Sequence, residues 1–281
     1  MDGGAPSFDK VEISGLTVGL KKPTQFGDVS TEVANVVLVG PNSAAAKAFL
    51  SGISSGDGFN AMSGHGFSAG TFTDMVMILD EDYEYGSVDK MSFGPSGTGD
   101  NINIIVTGQE MDIGEMMNGA GGMGPSMDMS MSIGSSKTAN ASPEYLKNMS
   151  EMMSGASTPT QNMFMSMTYD SSVVENFNMI GDGFSMSIPR AETIASKSGD
   201  VMTAKSTFAL STMKIDGLQM MGIGDMTFDG EMSMKMDAKA DTMSISNANM
   251  DFKESLINLK GKSLNSCMEL ISNLIGKPLS D

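Results

Sequence analysis

Apolar and polar residues alternate with a period of two along most of this chain. The clearest example runs from Asp225 to Asp241, where methionine, phenylalanine and alanine take one parity and charged or hydroxyl side chains take the other. Successive side chains of a β-strand point to opposite faces, so the pattern predicts a strand with one apolar and one polar face. Gly230 interrupts this stretch and predicts a kink or a bulge within it.

The same alternation recurs in other segments, many of them rich in methionine. It is present in Met127–Ile133, Met163–Tyr169, Phe184–Ile188 and Met202–Leu210, and also in Met243–Phe252, where the apolar parity changes after Ile245. Near the N-terminus the apolar parity changes at Gly15, from Val11 and Ile13 before it to Leu16 and Val18 after it. A change of parity within a strand predicts a β-bulge, because a bulge adds one residue to one of two paired strands.

Three segments break this rhythm and predict helices. Ser43–Ile53 is rich in alanine, and Ser142 followed by Pro143 precedes apolar residues at helical spacing. The third helix begins after Ser263 and ends at Gly276, with a proline beyond it. Together these elements predict a mainly β fold with two or three short helices. Its long antiparallel meander sheets would form a groove, a sandwich or an open barrel.

The glycine- and methionine-rich stretch at residues 114–125 is the expected internal boundary, a linker. It separates a β-rich N-terminal segment, residues 1–113, from a β-rich C-terminal segment, residues 126–281, which ends in a helix. One continuous domain is the alternative, because no repeated residue pattern is strong enough to mark a duplication.

Charge narrows the range of partners. The 281 residues include 34 acidic against 17 basic side chains, a formal net charge of −17. Such a surface repels phosphate, so we expect no nucleic-acid partner and no attraction to anionic membranes. No apolar run of about 18 residues exists, so no transmembrane segment is predicted. We expect a periplasmic or extracellular protein whose signal peptide has been removed, with a cytoplasmic location as the alternative.

Residues suited to acid–base or nucleophilic chemistry are scarce. Histidine and cysteine occur once each, as His65 in a glycine-rich loop and Cys267 on the apolar stripe of the last predicted helix. The glycine-dense residues 118–125 lack the Lys-Ser/Thr pair of a phosphate-binding loop. Asp80, Asp82 and Glu84 alternate, but they do not match the spacing of an EF-hand. We therefore predict no enzyme activity and no cofactor.

Methionine is the most unusual feature, with 31 residues in the chain. Its flexible, polarizable thioether suits adaptable apolar surfaces, so the alternating methionines predict a face that binds a lipid or another apolar small molecule. That face comprises Met127, Met129, Met131, Met163, Met165, Met167, Met232, Met234 and Met236. A second hypothesis is Cu(I) binding, because soft thioethers select this ion. Its ligands would be Met127, Met129, Met131, Met232, Met234 and Met236.

The segments Phe8–Leu16 and Ile223–Gly230 carry the same alternation next to glycine. In this pattern, which covers most of the chain, the sequence resembles the AsmA-like repetitive β-groove proteins of the Gram-negative envelope and uncharacterised secreted β-repeat proteins of alphaproteobacteria. The resemblance implies an envelope location and contact with lipid. We therefore predict a non-catalytic envelope or secreted protein with a binding or structural role. The alternatives are a Cu(I)-binding protein and a self-assembling surface or matrix protein, the last suggested by long strands and a low density of charge.

Overall fold

In the part of the chain that the computed structural model describes, 11 antiparallel strands form one open sheet. The structure describes residues 9–19, 28–40, 67–80, 82–112, 128–142, 144–145, 148, 165–216, 225–237 and 242–253, and for residues 237 and 242–253 it describes only the backbone. The strands are β1 (Lys10–Gly19), β2 (Val29–Val39), β3 (Ala69–Leu79), β4 (Tyr83–Pro95), β5 (Ile102–Asp112), β6 (Met129–Ala141), β7 (Ser171–Gly181), β8 (Phe184–Ser198), β9 (Val201–Ile215), β10 (Met226–Asp237) and β11 (Thr242–Lys253). Each strand pairs with its neighbours in sequence, so the sheet is a meander with β1 and β11 at its edges. The predicted mainly β, antiparallel meander fold is confirmed.

Two-residue turns set the register of the C-terminal hairpins. The dipeptide Asp-Gly at residues 182–183 joins β7 to β8, and Gly-Asp at residues 199–200 joins β8 to β9. Glycine and aspartate favour such turns because they tolerate the positive φ that tight hairpins require. The register of both hairpins follows from these turns, and Gly181 pairs with Phe184 directly beside the first of them.

A crease crosses the sheet near the middle of its strands. Between β1 and β2 the pairing passes over Gly15 and Ala34, although the register is the same on both sides of them. In each following strand pair, as far as β7 and β8, the register also skips one residue of each strand. The skipped residues lie next to one another across the sheet. We call this row of residues the crease, and it comprises Gly15, Ala34, Asp74, Asp89, Gly108, Gly134, Asn176 and Pro189.

Left-handed backbone recurs on every second strand along the crease. The φ angle is 68° at Gly15, 52° at Asp74, 62° at Gly108 and 55° at Asn176. Each of two paired strands passes over one residue at the crease, so the residues on the buried face change parity on both strands together, from Ile13 to Leu16 on β1 and from Val33 to Val36 on β2. This explains the change of parity at Gly15 without an inserted residue, and the β-bulge predicted there is wrong. The irregularity predicted at Gly230 is confirmed, because the register of β9 and β10 shifts there.

The N-terminal strands bury one face of the sheet, which we call the inward face. Val33 lies on one side of the crease and Val36 and Phe72 on the other, yet all three belong to one buried cluster. The inward face is therefore continuous across the crease. The crease divides the sheet into two sides. We call the side that contains Met131 of β6 the Met131 side and the side that contains Met234 of β10 the Met234 side. From β6 to β10 the inward face is mostly half-buried.

Charged pairs lie on the opposite, outward face. Arg190 contacts both Glu175 and Glu192, each at 3.1 Å. A hydrogen bond from the Ser135 hydroxyl, helped by the charge of Lys137, holds the pKa of Glu175 below its ordinary value. These partners are exposed to solvent, so their attraction contributes little to stability. These charged side chains are thus kept away from the buried clusters of the inward face.

The sheet continues across the predicted domain boundary, because β5 pairs with β6. Residues 113–127, which lie between these strands, contain the predicted linker and are outside the described residues. The predicted helices at Ser43–Ile53 and after Ser263 also lie outside them. In the helix predicted after Ser142, the described residues Glu144, Tyr145 and Asn148 have helical backbone.

Candidate functional site

Six methionines on consecutive strands stand directly opposite one another on the inward face. Along this methionine row, Met111 pairs with Met131, Met131 with Met179, Met179 with Met186, Met186 with Met213 and Met213 with Met226. Neighbouring strands are about 4.8 Å apart, so the row extends roughly 24 Å from β5 to β10. All of it lies on the Met131 side of the crease.

Contacts at both ends show how the methionine row is packed. Met226 is only 5% exposed and packs against Met213. At the other end Gly86 of β4 occupies the next position, and a β-carbon there would lie 2.7 Å from Cε of Met77 and 3.3 Å from Cγ of Met111. Side chains from the two neighbouring strands thus fill the space above Gly86. The result is a continuous surface of flexible thioethers.

A cavity of about 210 Å³ lies on the Met234 side of the crease, between the sheet and the segment that precedes β7. Its floor is two cross-strand pairs, since Met202 opposes Met236 and Ala204 opposes Met234. Its walls are Met167 and two tyrosine rings. The full lining is Tyr145, Met167, Tyr169, Met202, Ala204, Met234 and Met236.

Hydrogen bonds hold the wall of this cavity against the sheet. The Ser142 amide donates to the Thr168 carbonyl at 2.8 Å, and the Ser142 hydroxyl donates to the Ser166 carbonyl at 2.9 Å. From the other direction, Nζ of Lys197 donates to the Met165 carbonyl at 2.8 Å. These three bonds fix a segment that has no strand pairing of its own.

The two tyrosines of the wall are neutral at neutral pH. Their rings pack edge to face, with centroids 5.7 Å apart and an interplanar angle of 81°. Burial raises the pKa of Tyr145, and a hydrogen bond with Thr138 opposes that rise to a smaller extent. Burial also raises the pKa of Tyr169, and Tyr145 adds to the effect. The wall therefore presents apolar rings and uncharged phenol groups to the cavity.

A second, polar cavity of about 420 Å³ adjoins the first and shares Tyr169 and Met202 with it. Lys197 and Asp170 are its charged residues. The Asp170 carboxylate accepts a hydrogen bond from Nδ2 of Asn140 at 2.9 Å. The remaining lining residues are Asn101, Thr168, Ala195 and Ser196. Apolar and polar surfaces thus meet at Tyr169 and Met202.

The crease divides the methionines that the sequence predicted as one ligand face. Met129 and Met131 lie on β6 on the Met131 side, whereas Met232, Met234 and Met236 lie on β10 on the other side. The two groups are four strands apart, or about 19 Å. They do not form a single copper site. Met127 and Met163 lie outside the described residues.

The strand predicted at Met163–Tyr169 is wrong for the residues that the structure describes. Met165 and Ser166 have helical backbone, and residues 167–169 belong to no strand. Met165 and Met167 are nevertheless buried, with 5% and 7% of their surface exposed. The physical reason is that the backbone carbonyls of this segment bond to Ser142 and Lys197 rather than to a neighbouring strand.

The alternation along the chain did not predict the methionine row or the place of Met202 in the cavity floor. A signal for the row existed in the two-residue turns at 182–183 and 199–200. Counting back from these turns places Met179 opposite Met186 and Met186 opposite Met213, as observed. The tyrosines of the wall had no comparable signal, because tertiary contacts rather than strand register position them.

The other candidates from the sequence give no site in the described ranges. His65 and Cys267 lie outside those ranges. Asp80 belongs to the β3–β4 turn, where its carboxylate accepts a hydrogen bond from the Asp28 amide at 3.1 Å. Among the residues described, no group of three or more histidine, cysteine, aspartate or glutamate side chains could hold a metal ion. Nor does any helix in those ranges have the length and apolar character to cross a bilayer.

No protein-family model, no curated protein and no solved structure matches this chain. Its function therefore has to be inferred from the cavity, the methionine row and the chemistry of the residues that form them.

Proposed function

We propose that this protein is a non-catalytic binding protein that holds an apolar ligand in the cavity above β9 and β10. The observation that carries the proposal is the lining of that cavity, which consists of four methionines, one alanine and two neutral tyrosines. Small apolar ligands bind in concave sites lined by hydrophobic and aromatic side chains with a few polar groups. Methionine side chains adapt their shape to such a ligand at little cost.

The volume of the cavity limits the size of the ligand. At about 210 Å³ the cavity is larger than one of about 150 Å³ that holds benzene, so it suits a chain of roughly six to eight carbons. A longer acyl chain would have to continue across the inward face, where the methionine row offers an apolar surface roughly 24 Å wide.

Tyrosine fluorescence tests the proposal directly, since the chain has no tryptophan and 4 tyrosines, two of which line the cavity. Titration of delipidated protein with 1-octanol should change this fluorescence in a saturable way. Ala204→Leu adds three carbons to the floor of the cavity and should weaken binding by more than about tenfold, because the ligand loses the space for several methylenes.

Ala209→Leu is the matched control, because the same change is made on the same strand at a residue exposed to solvent. It should bind 1-octanol as the unchanged protein does. An unchanged protein that shows no saturable response at micromolar concentration would contradict the proposal. Equal loss of binding in both variants would place the ligand elsewhere.

Cu(I) binding is a second candidate, favoured by the four thioethers that line one cavity. Met202 and Met236 are direct cross-strand neighbours, Met234 is two residues further along β10, and Met167 faces them from the wall. Thioether sulfur selects Cu(I) over harder ions. This set shares Met234 and Met236 with the one predicted from the sequence. It adds Met167 and Met202, and it leaves out Met127, Met129, Met131 and Met232.

Competition against a coloured Cu(I) chelator tests the copper candidate. The unchanged protein should withdraw Cu(I) from the chelator, and Met236→Leu should do so more weakly, because it removes a sulfur with little change in volume. Met129→Leu on β6 is the control and should behave as the unchanged protein. A chelator spectrum that the unchanged protein does not alter would eliminate copper, and 1-octanol binding would be unaffected by that result.

A further inference from the structure

Lys197 lies where the apolar cavity meets the polar one. It stands directly opposite Met202 across β8 and β9, and Met202 stands opposite Met236 across β9 and β10. Directly opposed residues of paired strands share a face. Lys197 therefore belongs to the inward face, in line with the floor of the apolar cavity.

Among the lysine and arginine side chains that the structure describes, Lys197 is the inward one. The others have outward parity on their strands, and they are Lys10, Lys90, Lys137, Arg190, Lys205, Lys214 and Lys235. Four of these outward cations contact carboxylates. Lys197 instead donates one hydrogen bond to the Met165 carbonyl, and an ammonium group has three N–H donors.

The acidic residue of the polar cavity, Asp170, is engaged by Asn140. Within the described residues it forms no ion pair with Lys197. Thr168 lines the same cavity, and its hydroxyl is able to donate a hydrogen bond to an acceptor. Lys197 and Thr168 thus offer hydrogen-bond donors to an anion at this end of the site.

We infer that the ligand is an amphiphile whose short alkyl chain occupies the apolar cavity and whose carboxylate binds Lys197. The inference rests on the proposed function and specifies the class of ligand. A hydrogen bond from an ammonium to a carboxylate is stronger than one between neutral groups, so the head group fixes the orientation of the chain. Lys197 is two strand spacings from Met236, or about 10 Å, a distance that octanoate can span.

Three ligands that share one chain test the inference: octanoate, 1-octanol and octylamine. Their binding to the full chain is measured by tyrosine fluorescence and calorimetry at neutral pH and low salt. Octanoate should bind about tenfold more tightly than 1-octanol, as expected for one charge-assisted hydrogen bond. Added salt should reduce that advantage. Lys197→Met should remove the advantage, and Lys197→Arg should retain it.

Equal affinity for octanoate and 1-octanol would overturn this inference and leave the proposed function intact. Tighter binding of octylamine would also overturn it, because Asp170 would then be the group that binds the head. If none of the three ligands binds, the proposed function fails as well. Since Lys197 also holds the cavity wall, Lys197→Met can lose 1-octanol binding too. In that case the octanoate preference of Lys197→Arg decides, and its loss would overturn the inference.

Discussion

At the scale of single residues, two glycines of the crease both have positive φ, but only one of them is also too crowded to accept a β-carbon. Gly108 has a positive φ of 62°, and a β-carbon there would collide with the carboxylate of Asp89. Gly15 has a similar φ of 68°, but nothing lies within 4 Å of the position that its β-carbon would take. Alanine at Gly15 thus meets only the backbone penalty, whereas alanine at Gly108 meets both.

We expect Gly15→Ala to lower the free energy of unfolding by about 1 kcal/mol, the usual cost of left-handed backbone for a residue with a β-carbon. Gly108→Ala should lower it further, and Asp89→Ala introduced with Gly108→Ala should restore part of the difference. Urea denaturation of the four proteins measures these effects. Equal losses at the two glycines would mean that the Asp89 side chain does not cover Gly108.

The tyrosines of the cavity wall predict a loss of stability at alkaline pH. Burial raises the pKa of Tyr145 and Tyr169, so the folded protein retains phenolic protons that the unfolded chain releases. The free energy of unfolding should therefore fall as the pH rises above the ordinary tyrosine pKa of about 10. Tyr145→Phe should make this fall less steep. Denaturation at a series of alkaline pH values measures the slope, and the same slope in both proteins would contradict the burial of Tyr145.

At the scale of elements, the sequence predicted the faces of strands better than their pairing. The alternation in β6 and β10 was sufficient, because burying one face of a strand imposes a period of two. The crease could not be predicted. The change of parity at Gly15 is compatible with two structures. In a β-bulge one strand gains a residue, and in the crease both strands skip one. The two give the same sequence pattern, and only the register between the strands distinguishes them.

The wall segment shows why part of the site could not be predicted. Residues 165–169 alternate like a strand, but their partners Ser142 and Lys197 are 24 and 32 residues away in sequence from the carbonyls they bind. Local pattern carries no information about contacts of that range. The alternation predicts that Met165 and Met167 are apolar residues of one face, and both are buried, but the strand backbone that it predicts for them is wrong.

Ser142 connects the helical residues after it to the wall, which makes it a test of this element. Its hydroxyl donates to the Ser166 carbonyl, and the residue is 7% exposed. Ser142→Ala leaves that carbonyl without this donor, so the free energy of unfolding should fall by about 1–2 kcal/mol. The affinity for 1-octanol should fall too as the wall loosens. Ser14→Ala removes an exposed hydrogen bond to Asn35 and should cost little. Equal effects of the two changes would show that the wall is not held at Ser142.

At the scale of the whole molecule, the inward face changes character along the sheet. From β1 to β5 it is packed with branched and aromatic side chains, of which Phe72 and Val36 are at most 1% exposed. From β6 to β10 methionines replace them and are mostly half-buried. Close packing makes the first part rigid, and flexible thioethers make the second part adaptable. Self-assembly as a surface or matrix protein stays a prediction.

Oxidation of methionine by peroxide should follow this change of character, because only accessible thioethers form sulfoxides readily. Met234 is 37% exposed and should react before Met77 and Met226, which are 7% and 5% exposed. Peptide mass spectrometry gives the order of reaction. Bound 1-octanol should slow oxidation of Met234 and leave Met131 unchanged, since Met131 lies in the methionine row outside the cavity. Protection of Met131 alone would move the ligand to the row. Equally fast oxidation of Met226 and Met234 would contradict the burial of Met226 at the end of the methionine row.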